Sequence, residues 1–343
     1  MKRKLLAILM AAAMLLPALS PGAAAAEFTF EKIPGKHGCD VFAYSEGAAG
    51  WLEHGLHGQG RIWGYTILYW LLWPGAKAVQ GIRRHFTGQE HRCYMCALRA
   101  GDMPPNPLEK EGWILDRHDE FGGPALDETL WIPRYNEYRK PPGETDAHFI
   151  FRDGCLVLQI PDSSVGVSSL QTGAKDFLHG DSFDHSIPED MKYTPQYGYF
   201  EIRAKTQEGS GIHCAFWGIG TKETPDRNAE IDVFEILGRE ERSLMWNLHG
   251  WNDPKLQAHD GANVQLDFKP SDGFHIYALE WTPERIKLYV DNRLTGTIEA
   301  SPDYPFVFLL GIYENAGWTG DVDTGIAYPK EFAIDYFRAY KKN

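Results

Sequence analysis

From residue 111 onward the chain is a succession of short runs in which apolar residues alternate with polar ones, separated by Gly, Pro, Asn and Asp. Phe200, Ile202 and Ala204 alternate with Tyr199, Glu201 and Arg203. Ile286, Leu288 and Val290 alternate with Lys287 and Tyr289, and Asp291-Asn292 then supplies a turn. Successive side chains of a strand point to opposite faces, so a period of two offers one face to a core and the other to solvent. Many such strands, with no repeat and no long amphipathic helix among them, predict an all-β sandwich. Ile334, Tyr336 and Tyr340 suit its closing strand.

Within that pattern one run stands apart: Glu230-Ile231-Asp232-Val233-Phe234-Glu235. Glu230 and Asp232 share a face, but Glu235 is an odd number of positions from Glu230 and would point the other way in a regular strand. A β-bulge at Val233-Phe234 restores it, and bulges re-aim side chains beside active sites. Three acids on one face repel one another and push at least one pKa upward. Glycoside hydrolysis uses such a pair, one carboxylate as nucleophile and one carboxylic acid to protonate the leaving oxygen. A third acid between them keeps the two pKa values apart. The alternative for these six residues alone is a solvated acidic strand.

The surroundings favour the catalytic reading. Trp113 with Asp119-Glu120-Phe121, then Tyr197 to Ala204, Ala215-Phe216-Trp217, the acidic run, Tyr277 to Pro283 and Asp335-Tyr336-Phe337-Arg338 follow one another in an order that resembles glycoside hydrolase family 16, the laminarinase-like enzymes. The resemblance covers residues 111–343. It implies a concanavalin-like jelly-roll β-sandwich with the bulged strand crossing the middle of a concave sheet. It assigns Glu230 as nucleophile, Asp232 as its assistant and Glu235 as general acid/base, in the bulged form of the motif carried by laminarinase- and agarase-like members. The activity implied is a retaining endo-β-glycanase on a β-1,3- or mixed-linkage β-1,3-1,4-glucan. A galactan (agar or carrageenan) hydrolase, a transglycosylase and a non-catalytic carbohydrate-binding protein are the alternatives.

The same resemblance names substrate-binding residues. Trp217 would lie beneath the sugar next to the cleaved bond. Asn247 and His249 alternate with Trp246 and Leu248, so one pair faces the cleft and the other the core. His249 resembles a cleft histidine of the family and Asn136-Glu137 resembles a sugar-contacting pair; apart from the resemblance, Trp251 is placed to stack a sugar at the rim or to cover a loop. Each also has a structural alternative, as a core or loop residue. Two positions depart from the β-1,3-glucanase pattern. His213-Cys214 stands where Trp-Pro often precedes the Ala-Phe-Trp stretch, and Gly311 stands where the family has Asn. Both put the identity of the sugar in question rather than the reaction. No cofactor is required, but a structural calcium is common in such folds, and Glu120 and Asp335 match its ligand positions. Oxygen ligands suit calcium; salt bridges are the alternative use of these carboxylates.

Residues 1–26 read as a secretory signal: Lys2-Arg3-Lys4, an apolar core from Leu5 to Leu15, and Ala24-Ala25-Ala26 before Glu27. The protein is therefore expected outside the cell. Removal of the three positive charges takes the formal net charge from −13 to −16, which disfavours nucleic acid as a partner. A polysaccharide is the expected partner and a monomer the expected state. Residues 27–110 form an N-terminal extension whose role the pattern does not assign. Its uncharged run Ile62 to Ala76 is short for a membrane span and broken by Gly64, Pro74 and Gly75, so a buried or interfacial segment is expected over membrane or cell-wall attachment. Cys93-Tyr94-Met95-Cys96 has the spacing of half a zinc site, with His85 and His91 nearby but no second pair. Cys39, Cys93, Cys96, Cys155 and Cys214 are an odd number, so at least one thiol is unpaired in a monomer, and Cys155 and Cys214 read as buried strand residues. Pro104, Pro105 and Pro107 suggest a linker into the β domain.

Overall fold

The alternating runs pair into two antiparallel sheets. In the computed structural model, residues 102–135, 145–175, 189–221, 227–256 and 260–343 are described, and none of them forms a helix. The signal-like segment, the body of the extension with Cys93, Cys96 and the Ile62–Ala76 run, and the Asn136-Glu137 pair lie outside the described residues.

The larger sheet has eight strands. Its backbone of order is β14 (Arg293–Ile298), β13 (Ile286–Val290), β12 (His275–Trp281), β7 (Gly198–Lys205), β16 (Lys330–Lys342), β3 (Cys155–Ile160) and β2 (Phe149–Arg152), with β1 (Trp113–Asp119) also paired to β16. The six-stranded sheet runs β11 (Asp260–Gln265), β10 (Ser243–His249), β9 (Glu230–Leu237), β8 (Ile212–Gly220), β15 (Phe306–Glu314) and β4 (Val167–Gln171). Two short strands, β5 (Gly173–Ala174) and β6 (Asp190–Met191), pair with each other.

The core fills the space between the sheets. Phe200, Ile202 and Ala204 of β7 meet Phe216 of β8, Ile231 and Phe234 of β9 and Phe308 of β15, all fully buried. Phe200 and Phe308 face each other with ring centroids 4.4 Å apart. Asp291 and Asn292 carry φ of 48° and 64° between β13 and β14, the left-handed pair a tight two-residue hairpin demands. Cys155 and Cys214 are free and buried, and burial pushes both thiols up to about 12.

The proline-containing stretch 102–110 is not a free linker. It belongs to the same unit as the sandwich and packs on the outer face of the larger sheet. Asn106 Nδ2 donates to Glu201 Oε2 over 2.8 Å, Lys110 Nζ reaches the same oxygen at 3.3 Å, and Tyr336 Oη donates to Glu201 Oε1 at 2.7 Å. Arg338 and Tyr340 donate to the carbonyls of Asn106 and Leu108. The polar residues that β7 and β16 turn away from the core are thereby satisfied under cover of this segment, as buried polar groups must be.

Candidate active site

β9 lies inside the six-stranded sheet, with β8 and β10 on either side. Along β8, Phe216 pairs with Phe234 and Trp217 with Asp232, so Val233 is the extra residue. Along β10, Met245 pairs with Glu235 and Asn247 with Asp232. This is the bulge expected at Val233-Phe234. Ile231, Val233, Phe234 and Ile236 join the core, while Glu230, Asp232 and Glu235 share the opposite face. Glu230 and Glu235 are half-buried and Asp232 is fully buried.

Cross-strand register then assembles the surroundings. His249 stands opposite Glu230 and Asn247 opposite Asp232. Polar atoms of Glu230, Asp232 and His249 lie within 4.8 Å of one another. His249 Nε2 is 3.3 Å from Asp232 Oδ2 and 3.0 Å from Asn247 Nδ2. Trp251 stacks on His249, with centroids 4.7 Å apart and planes 9° apart, and its indole N–H donates to Glu230 Oε2 over 3.0 Å. Trp251 is 54% exposed, with its free face toward solvent. Trp217 stands opposite Asp232 on the other side, and its Nε1 donates to the Tyr313 hydroxyl at 3.0 Å. Trp217, His249, Asn247 and Trp251 are thus gathered around the three acids.

The electrostatics follow from the crowding. Burial pushes the Glu230 carboxyl well above the usual carboxylate range, and the charge of Asp232 pushes it further; His249 and the Trp251 N–H act in the opposite sense. Burial also drives Asp232 well above its ordinary value, with the neighbouring charge of Glu235 second. Glu230 and Asp232 therefore resist being ionised together, and the pair binds a proton more readily than free carboxylates do.

His213, Tyr313 and Trp318, beside this face, escaped the sequence reading as site residues. His213, Ala215 and Trp217 follow the alternation of β8, and His213 Nε2 lies 3.2 Å from Glu235 Oε1. Tyr313 stacks on His213 with centroids 5.1 Å apart. Trp318, 50% exposed, meets the His213 ring edge-on at 5.2 Å. The same register explains Gly311. A Cβ there would lie 2.4 Å from the Tyr313 hydroxyl and 2.6 Å from its Cζ, so the Tyr313 ring fills the volume that a side chain at 311 would need. The two sequence departures, at 213 and 311, are therefore neighbours through Tyr313.

The expected calcium ligands do not fit a cation. Arg338 spans both oxygens of Glu120, with Nε and Nη2 donating at 2.8 and 2.7 Å. Asp335 accepts from Nη1 of a different arginine, Arg203, at 2.7 Å. Each carboxylate already has a guanidinium partner, whereas calcium takes six to eight oxygens. The salt-bridge alternative holds.

Comparison with known proteins agrees with this geometry. The model of "Glycosyl hydrolases family 16" matches residues 152–337. The beta-glucanase of Rhodothermus marinus is 34% identical over 169 residues, which cover 42% of this chain and 57% of the relative. The solved GlcNAcα1-4Gal releasing endo-β-galactosidase from Clostridium perfringens is 35% identical with a TM-score of 0.66, over 70% of this chain and 65% of that one. The catalytic domain of an endo-1,3-beta-glucanase (laminarinase) from Thermotoga petrophila is 25% identical with a TM-score of 0.54, over 68% of this chain and 100% of that one. The chain thus spans less than two thirds of the length of the first two.

Proposed function

This chain belongs to glycosyl hydrolases family 16, and on that premise we propose that it is a retaining endo-β-glycanase cleaving an internal β-galactosidic bond in an amino-sugar-containing glycan. The observation that carries the hydrolase reading is the bulge at Val233, which turns Glu235 to the face of Glu230 and Asp232. In the first step a carboxylate oxygen of Glu230 attacks the anomeric carbon, the glycosidic C–O bond breaks, and Glu235 gives its proton to the departing oxygen. In the second, Glu235 takes a proton from water, whose oxygen displaces Glu230 from the sugar. Asp232, whose burial favours its neutral form, keeps a proton of its own, distinct from the one Glu235 transfers, and leaves the negative charge to Glu230. The Trp251 N–H and His249 favour negative charge on Glu230.

The choice of a galactosidic bond is supported by the likeness to the endo-β-galactosidase, at a TM-score of 0.66 against 0.54 for the laminarinase. It is supported also by His213 and Tyr313, which reshape the face beside Glu235 at the two positions that depart from the β-1,3-glucanase pattern. A β-1,3- or mixed-linkage glucan is the second reading, favoured by the beta-glucanase relative. Digestion of a GlcNAcα1-4Gal-capped mucin, laminarin, lichenan, agarose and carrageenan, with product analysis, separates them. New reducing ends on the mucin alone are expected. Products from laminarin or lichenan instead would replace the galactosidase with a glucanase, and binding without products would remove the enzyme. Glu230→Gln should abolish turnover and leave the fold intact; full activity would take the nucleophile role from Glu230. Export is part of the same reading, and N-terminal sequencing of the exported protein should begin at Glu27.

A further inference from the structure

We propose that His213 is the positioning residue of the general acid/base, holding the Glu235 carboxyl toward the scissile oxygen and steadying its charge once the proton has left. This rests on the acid/base role of Glu235 given above and adds to it the group that orients that acid.

His213 is two residues before Ala215, which pairs with Glu235, so its ring projects on the same face one pleat away. Its Nε2 lies 3.2 Å from Glu235 Oε1. That nitrogen is buried and finds no well-aligned hydrogen-bond partner, so the nearest carboxylate oxygen is the acceptor available to it. The ring itself cannot wander. Tyr313 stacks on one side, with planes 27° apart, and Trp318 meets it edge-on. Tyr313 is in turn fixed by the Trp217 N–H and by Tyr135, whose ring meets it edge-on at 5.6 Å. The histidine is therefore clamped by aromatic rings on a strand, with a buried Nε2 3.2 Å from one carboxylate oxygen but not yet aligned on it.

A clamped donor next to a catalytic acid has a definite use. Glu235 must present its proton to the leaving oxygen and then accept one from water. With its own proton on Nε2, His213 donates a hydrogen bond to the carboxylate left behind after the first transfer, and no proton of the histidine is consumed in either half-reaction. Charge-assisted hydrogen bonds of this kind are the stronger ones. Misplacing a catalytic group by about 1 Å costs roughly 100-fold in rate.

The test uses full-length enzyme and two classes of substrate. H213F keeps the ring stack and removes the nitrogen; H213Q restores an N–H donor. On whichever of the GlcNAcα1-4Gal-capped mucin, laminarin and lichenan the wild type cleaves, H213F should lower kcat/KM by about 10- to 100-fold, mainly through kcat, and H213Q should recover most of it. The 2,4-dinitrophenyl β-glycosides of GlcNAcα1-4Gal and of laminaribiose have a leaving group that needs no proton. On whichever of them turns over, kcat/KM of H213F should stay within about threefold of the wild type. Equal losses on both classes, no loss on either, or no recovery in H213Q would overturn the proposal. A separate control isolates the premise: Glu235→Ala with the same dinitrophenyl glycoside and azide should yield the β-glycosyl azide. If no azide product forms, the acid/base reading of Glu235 fails, whatever the His213 variants do.

Discussion

Trp251 donates its indole N–H to Glu230 Oε2 across 3.0 Å while its ring lies on His249, so one side chain both caps the Glu230 carboxyl and covers its histidine neighbour. The bond favours the charged carboxylate against the burial that opposes it. Trp251→Phe keeps the ring and deletes the donor. The pKa of Glu230 then rises further, and in its proposed role as nucleophile it must be ionised to attack. A hydrogen bond to a charged group is worth about 1.5–3 kcal/mol, roughly 10- to 100-fold in rate. The acid limb of the kcat/KM profile should therefore move to higher pH, with the loss greatest at the acid end of the profile and smallest at its alkaline end. A uniform loss across that range would mean that Trp251 serves only as a sugar platform.

Asp232 and Glu230 both sit above the ordinary carboxylate range, each because of burial first, and then because of the charge of Glu235 on Asp232 and of Asp232 on Glu230. The folded protein therefore binds more protons than the unfolded chain in the window above the ordinary values, and its stability falls as pH rises through that window. Below the window both states are protonated and nothing is lost. Asp232→Asn removes one of these costs. The variant should be inactive yet more stable than the wild type at neutral pH, by about 0.5–2 kcal/mol, or roughly 2–4 °C in Tm for each kcal/mol. Urea titrations at about pH 4 and about pH 8 check it, since the two proteins should converge at the lower pH. A destabilised variant at the higher pH would show that the charge of Asp232 is paired rather than tolerated.

The acids were legible because a motif of this kind violates the strand period in a way that only a bulge repairs, and Val233 is where the register slips. The sandwich was legible for a related reason: Phe200, Ile202 and Ala204 mark the core face of β7 without reference to any other strand. What escaped depended on partners far along the chain. Tyr313 reaches His213 through the pairing of β15 with β8, and nothing within either run announces that pairing. Gly311 read as a missing asparagine because a sequence records the absent side chain and not the tyrosine ring that occupies its place. Residues 102–110 read as a linker from their prolines. The alternation of Glu201 and Arg203 showed that β7 has a polar outer face, but not that this face would be covered. Glu120 and Asp335 were read through family likeness alone, which does not reveal the arginine each one holds.

The Gly311–Tyr313 relationship can be measured as a coupling. Gly311→Ala drives a methyl into the Tyr313 ring, which is stacked against His213 and tied to Trp217 and so has little room to yield. Overpacking of this kind costs about 1–3 kcal/mol. Tyr313→Ala removes the obstacle, so Gly311→Ala should cost far less in that background, with a coupling energy of about 0.5–3 kcal/mol in a double-mutant cycle of urea unfolding. Additive effects would mean that the ring does not occupy the space above residue 311.

Asp335 gives the most direct separation of salt bridge from metal site. It lies almost fully buried on β16 against Arg203, whose Nε also donates to the Met103 carbonyl at 2.7 Å and whose guanidinium covers the Phe274 ring at 4.7 Å. The aspartate therefore anchors both the sheet and the segment 102–110 through one arginine. Asp335→Ala removes the closer of two buried carboxylates beside that guanidinium, Asp102 standing at 4.0 Å, so the loss should stay below the about 3–5 kcal/mol of a buried pair broken outright. The cost should be the same in EDTA and in calcium, and the wild-type Tm should not change between the two. Because the segment hangs from the same arginine, limited proteolysis of the variant should cut first within residues 102–110. A wild-type Tm that rises with calcium and falls with chelator would instead return Asp335 to the role of a metal ligand.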